Sequence, residues 1–511
     1  MASLSARLRL GFEHWLNALL DSQRQQRAVI ATLAVYAAIW TAYRAIATWP
    51  RDIHADVSEL YGWSRELAFG YDKHPPLSAA VAKLWLLVFP VGDLSLHLLA
   101  TANIAVTLYI AWRTMRRYLS PDKTVFGLAL LMLIPFFNFI ALKYNANAVL
   151  LPLWALTIDA FLRAYDRRKP GWAAAAGAFA ALAMLGKYWS VVLVGALGLA
   201  ALVDSRRAAF FRSPAPWVMA VVGLAVLAPH LWWLVDNRFP TFAYAAAHSA
   251  PSFAQNLAAT ASYLAGCLGY IALPLLASTW LLRPSGAALR DVTLPADPHR
   301  RLVLFIQLAL IVLPVPFALA MGLRIVPLWT MPAWTLLPIV LLASPLIAVG
   351  REAVRRIVAI TALFTLAMLA AAPGVALAIH LTNPPGSFEY ASLLAEKIEQ
   401  QWNSRSATAI PLVAGDTVLA ANTAFYLRTT TRSFATTELA QLRQAVSGRG
   451  AVLVCPATDE ACLATVESIA GGQSEILRSE VRLSRPLFGF EGATVRDVFW
   501  LVLPASPSRP G

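Results

Sequence analysis

The feature that most constrains this chain is its alternation of long apolar runs with short basic clusters such as RTMRR, DRRK and DSRR. Most of the runs approach the ~20 residues that a helix needs to cross a bilayer. Basic residues gathered between such runs follow the positive-inside pattern, so they report topology. The formal net charge of +14 is therefore no sign of a nucleic-acid partner, and the lipid bilayer is the expected surrounding. Composition agrees: 58% of the 511 residues are hydrophobic and only 14% are charged. A soluble fold has too little polar surface at that ratio, and the chain reads as a polytopic α-helical membrane protein.

Residues 1–27 place Leu8, Phe12, Trp15, Leu16, Leu19 and Leu20 at helical spacing among arginines, which predicts an amphipathic helix on the cytoplasmic surface. The transmembrane domain is expected over 28–381, with a long first external loop at 49–93. Spans are expected near 28–48, 94–111, 124–141, 148–163, 216–234, 302–322, 329–347 and 357–380, with another before LLRPS. Within 172–203 an apolar stretch is broken by Gly186-Lys187-Tyr188-Trp189. One tilted helix there would put a basic cluster outside, whereas two short helices turning at Lys187 keep both clusters inside. The hairpin brings the count to about 11 transmembrane helices, the amino terminus cytoplasmic and the carboxyl terminus external. Residues 78–90 are too short to span and are expected to lie in the interface.

The character of the chain changes near Thr382. Residues 382–511 alternate short β-type runs (IPLVAGD, AVLVCP, VRDVFWLVLP) with helical periodicity (ELAQLRQAVSGRG, DEACLATVESI), which predicts a small α/β domain in the periplasm. Cys455 and Cys462 flank the start of one helix. In an oxidising compartment they are placed for a disulfide, and two buried free thiols are the alternative. No cysteine has zinc-site spacing to histidine, so no metal site is expected.

The candidate chemistry sits in the polar stretch 54–77, HADVSELYGWSRELAFGYDKHPPL. This stretch holds the carboxylates Asp56, Glu59, Glu66 and Asp72, and a carboxylate in a partly desolvated loop can activate an acceptor hydroxyl. Lys73, His74, Lys187 and Arg324 all map to the external interface and are the candidate binders of a donor phosphate. Glu59, Tyr61, Tyr188 and, from the second external loop KYNANA, Lys143, Tyr144, Asn145 and Asn147 are the expected substrate-binding residues. Each assignment has a plainer counterpart. Lys187 and Arg324 also read as snorkelling cations, and Asp56 as a helix N-cap or a salt-bridge partner of Arg65. His248, in a polar external loop, reads as solvated.

The motif D-x-x-E-L-Y-x-W-S from Asp56, the G-Y-x-x-H-P-P from Gly70, the A-x-L-G-K-Y turn ending at Tyr188 and the R-x-x-P-L-W from Arg324 resemble the GT-C membrane glycosyltransferases. The nearest type is family 39, which includes protein O-mannosyltransferases and the lipid A aminoarabinose transferase. The resemblance implies an enzyme that moves a sugar, with inversion, from a polyprenyl-phosphate-linked donor to an acceptor on the external side of the bacterial inner membrane. The acceptor is an envelope glycolipid such as lipid A or lipopolysaccharide, a glycan or a protein. It also implies that the acid opening the first motif, here Asp56, is the base. Two positions depart from the family pattern: His74 stands where a lysine is usual, and Asn147 where an aspartate is usual.

No cofactor is expected beyond the lipid-linked sugar, because a phosphate leaving group needs only cations to stabilise it; dependence on a divalent metal is left open. A polyprenyl-lipid flippase or transporter and an inactive GT-C-like scaffold are the other readings. Against a transporter, intramembrane carboxylates are scarce and no repeated pair of broken helices is evident.

Overall fold

The computed structural model describes residues 4–247, 252–384, 390–427, 433–435, 450–471 and 476–504. His248 and most of the run ELAQLRQAVSGRG lie outside the described residues. The chain forms two compact units. One comprises Met1–Thr41, Phe69–Ser78 and Leu98–Leu369; the other comprises Ala42–Ala68, Ala79–His97 and Ala370–Gly511. Read linearly, the first external loop belonged wholly with the membrane-spanning part; in the structure most of it packs with the C-terminal residues.

Among the described residues six helices are long and apolar enough to cross a membrane: Gln25–Ala47, Asp93–Met115, Ala215–Asp236, Phe253–Leu282, Pro298–Met321 and Arg351–Thr382. The expected straight span at 124–141 is instead a broken one, Pro121–Met132 and Pro135–Leu142 meeting at 85°. The cause is Pro135, which cannot continue a helical hydrogen-bond ladder and pushes Ile134 into extended backbone. Carbonyls freed by the bend are taken up inside the protein. The Tyr36 hydroxyl lies 3.0 Å from Met132 O and 2.9 Å from Phe137 O, and Asn138 Nδ2 donates to Met132 O at 3.1 Å. The expected span at 329–347 is likewise a 3₁₀ stretch, Pro327–Leu336, followed by the short helix Leu337–Leu342.

A glycine permits one close helix contact in this unit. A Cβ on Gly177, in the helix Pro170–Gly186, would collide with the Met219 carbonyl of Ala215–Asp236, so glycine there allows the two backbones to touch. The basic clusters that the sequence assigns to the cytoplasmic side are tied into ion pairs. Asp166 meets Arg117 at 3.0 Å and Arg206 at 3.1 Å, and Asp291 meets Arg300 at 2.8 Å. Arg300 and the Ser344 hydroxyl hold the Asp291 carboxyl below its ordinary range. The amphipathic N-terminal helix, Leu4–Leu20, buries Leu16 and Leu19, and Trp15 Nε1 donates to Thr32 Oγ1 at 2.8 Å.

In the second unit a five-stranded sheet has the order β2-β1-β3-β5-β4. The strands are β1 (Val413–Gly415), β2 (Ser433–Ala435), β3 (Ala451–Pro456), β4 (Ile476–Leu483) and β5 (Val495–Val502). β1 runs parallel to β2 and β3, and β5 is antiparallel to β3 and β4. Alternation divides β3 between two cores. Val452 and Val454 pack with the helices Ala391–Asn403 and Thr417–Tyr426 on one face, while Ala451, Leu453 and Cys455 pack with the helix Glu460–Ala470 on the other. Cys455 and Cys462 are joined in a disulfide with Cα atoms 5.8 Å apart, and Cys267 is a buried free thiol. Asp416 caps Thr417–Tyr426, accepting from Val418 N at 3.1 Å and Leu419 N at 2.8 Å, and so aims that helix from the end of β1.

Candidate active site

The expected site residues are divided between the two units. Asp56, Glu59 and Tyr61 lie in the second, on the helix Ala55–Arg65. His54, not Asp56, caps this helix: its Nδ1 accepts from the Asp56 backbone N–H at 3.1 Å. The Asp56 carboxylate stands in the first turn, 3.9 Å from His54 Nδ1 and about a third exposed (36%), where the helix N-terminus favours negative charge. A salt bridge to Arg65 is ruled out by length, since nine residues of helix separate them by about 13 Å. Arg65 lies instead over the Tyr61 ring, 5.9 Å from its centroid.

Glu59 follows Asp56 by one turn on the same helix face, the i,i+3 relationship. Ser58 and Tyr61 form a different, buried face. Ser58 Oγ donates to Asn422 Oδ1 at 2.5 Å, and the Tyr61 ring meets Phe425 edge-on at 5.1 Å. Tyr61 is therefore a packing residue of the helix that carries Asp56.

Lys73 and His74 belong to the first unit, on a turn closed by the Tyr71 N–H donating to the His74 carbonyl at 3.1 Å. The segment before it is fixed by two residues of the helix Ala215–Asp236. Gly70 lies against the Trp233 ring, where any Cβ would clash. His230 Nδ1 is 2.5 Å from the Phe69 carbonyl, and its Nε2 is 2.6 Å from the Tyr188 hydroxyl. A neutral imidazole protonated at Nδ1 satisfies both contacts, donating to the carbonyl and accepting from the phenol. His230 thus joins the first-loop motif to the residue after Lys187. A lone histidine inside an apolar span was the only sequence signal for it, and it belongs to the class of intramembrane ionisable residues.

The apolar stretch at 172–203 does break at Lys187, between Pro170–Gly186 and a 3₁₀ turn that leads into Val191–Val203. Lys187 itself is extended, with φ −165° and ψ 136°. Its Nζ donates to Asn147 Oδ1 at 2.8 Å and lies 4.9 Å from the centroid of the Trp329 ring. Trp189 Nε1 donates to the Trp329 carbonyl at 2.8 Å, which holds the aromatic platform in place. The KYNANA loop presents Asn147 through an Asx turn: Asn145 Oδ1 accepts from Asn147 N at 3.0 Å and Ala148 N at 3.1 Å. Lys143 is half-buried at the start of this loop. Tyr144 is 1% exposed with its hydroxyl on the Ser78 carbonyl at 3.2 Å, so the structure places it in the packing beneath the loop.

Arg324 is exposed and opens onto a cavity of about 470 Å³ lined also by Gln255, Ser262, Ile325 and Pro327. Lys187 lies over Trp329, five residues after Arg324, and is not among the residues that line this cavity. Among the described residues no group of three or more His, Cys, Asp or Glu is placed to hold a metal ion.

The family model described as dolichyl-phosphate-mannose-protein mannosyltransferase matches residues 73–233. That range contains Lys73, His74, the KYNANA loop, Lys187 and His230, and begins after Asp56. No curated protein matches the chain. Two crystal structures of ArnT from Cupriavidus metallidurans are similar in fold. The structure bound to undecaprenyl phosphate superposes with a TM-score of 0.63 at 16% identity, covering 94% of this chain and 99% of that one. The apo structure gives 0.60 at 15% identity, covering 92% and 97%. A family model thus matches the central region of the sequence, the fold of nearly the whole chain is similar to that of ArnT, and six of the described helices are long and apolar enough to cross a membrane.

Proposed function

We propose that the protein is an inverting glycosyltransferase that takes a sugar from a polyprenyl-phosphate donor and attaches it to an envelope acceptor on the periplasmic side of the inner membrane. The acceptor class is lipid A or another glycolipid, a glycan or a protein. The observation that carries this reading is Lys187, an ammonium at a helix break between apolar segments, held by Asn147 and stacked over Trp329. An amide oxygen orients the ammonium without neutralising it, as a carboxylate would. Asparagine at 147 therefore adds no negative charge of its own beside the ammonium, which gives the departure from the family pattern a physical meaning. The ArnT structure bound to undecaprenyl phosphate supports the same class of ligand.

In this reading Asp56 takes the proton of the acceptor nucleophile while the anomeric bond to phosphate breaks. Lys187, with Lys73, His74 and Arg324, stabilises the charge that collects on the departing lipid phosphate. Glu59 and the Lys143–Asn147 loop bind substrate, and no cofactor beyond the donor takes part. The test is transfer by the purified protein from a polyprenyl-phosphate sugar, comparing the native chain with Lys187→Ala. A charge-assisted contact to phosphate is worth roughly 1.5 to 3 kcal/mol, so the donor KM should rise about tenfold or more, with acceptor KM nearly unchanged. An unaltered donor KM would return Lys187 to the snorkelling cations, and absence of any transfer would favour a carrier or scaffold.

A further inference from the structure

The helix Thr417–Tyr426 of the C-terminal region grips the segment that carries Asp56 on both sides of that residue. Upstream, the Tyr426 hydroxyl accepts from the Ile53 N–H at 2.7 Å and donates to the Asp93 carboxylate at 2.9 Å. Downstream, Asn422 Oδ1 takes the Ser58 hydroxyl and Phe425 packs on Tyr61. A second fastening holds the residue before Ile53. The Asp52 carboxylate accepts from Ser392 N at 2.9 Å and Ser392 Oγ at 2.7 Å, and Arg485 donates to the same Ser392 oxygen at 2.7 Å. All these residues lie in one compact unit. Burial, with Asp93 beside it, pushes the Tyr426 pKa upward, so the hydroxyl keeps the proton that it donates.

We infer that Tyr426 and Asn422 are positioning residues for the reaction: the C-terminal α/β region sets the place of the Asp56 carboxylate and is part of the catalytic apparatus. The inference rests on the reading of Asp56 as the base. Ile53 and Ser58 flank Asp56 within three residues on either side, so the two contacts bracket one turn of backbone. Both partners come from the same helix, aimed by its Asp416 cap, and a displacement of that helix moves both anchors together. A misplacement near one ångström at a reacting group costs up to about a hundredfold in rate.

The test uses the full-length protein in detergent with a polyprenyl-phosphate sugar as donor. Tyr426→Phe removes both hydroxyl contacts and keeps the ring; Asn422→Ala removes the downstream one. Each is expected to lower kcat roughly tenfold or more while donor KM changes less than twofold, and Tyr426→Phe should speed amide exchange across residues 53–58. Ile398→Val, a core change in the same region, controls for general loosening and should leave kcat and that exchange unchanged. An unchanged kcat in Tyr426→Phe, or an equal loss in Ile398→Val, overturns the inference. Asp56→Asn measured alongside separates the two claims. If Asp56→Asn keeps near-native turnover, the base reading fails and the inference with it; if it is inactive while Tyr426→Phe is not, only the positioning role fails.

Discussion

The Tyr188 hydroxyl sits 2.6 Å from Nε2 of His230, and through that ring the turn at Lys187 is joined to the Phe69 carbonyl. Replacing the imidazole leaves two polar groups without it, whereas replacing the phenol leaves one. Each contact is part-buried, and each lost one costs about 1 kcal/mol. His230→Phe should therefore lower the thermal midpoint in detergent more than Tyr188→Phe does. Equal midpoints would mean that the contact to Phe69 contributes nothing.

Asp56 can be tested for chemistry without disturbing the helix start, because His54 supplies the cap. Asp56→Asn keeps the size of the side chain and removes its capacity to accept a proton. Single-turnover transfer should slow by about a hundredfold or more, with monodisperse elution retained. Glu59→Gln should do far less. Turnover of Asp56→Asn close to native would move the base elsewhere, with Glu59 on the same helix face the first place to look.

Orientation is read from the basic clusters and is open to direct measurement. Cys267 is buried and the other two cysteines are disulfide-bonded, so the native chain supplies a quiet background for labelling. Reporter positions follow from the structure. Gly70 has no room for a side chain, Ala146 is buried, and Gly450 has φ +82°; Asp72, Lys397 and Arg290 are exposed. Cysteines at 72 and 397 should react with an impermeant thiol reagent applied to the periplasmic side, and one at 290 should not. Protection at 397 with reaction at 290 would invert the arrangement.

By itself the sequence determined whatever depends on neighbours along the chain. Apolar length marked the segments able to cross a membrane, and six of the described helices have that length and composition. The polar interruption at Lys187 marked a helix break, and the unbroken apolar run AVLVCP marked a strand buried on both faces. The first-loop motif was legible because its aromatic and charged residues are out of keeping with an apolar chain. The 85° bend is caused locally by Pro135, and tertiary structure supplies Tyr36 and Asn138, whose polar groups meet carbonyls at the bend. Only tertiary structure decided which residues serve the candidate site from afar. His230 reaches Phe69 across 161 positions, Asn422 reaches Ser58 across 364, and Tyr426 reaches Ile53 across 373. Such pairs leave no periodic trace, since a single histidine or tyrosine has the same local propensity wherever its partner lies. The same physics took Tyr144 out of the exposed loop and into the packing: a phenol fits where a carbonyl can accept its proton, and Ser78 offers that carbonyl only once the chain has folded.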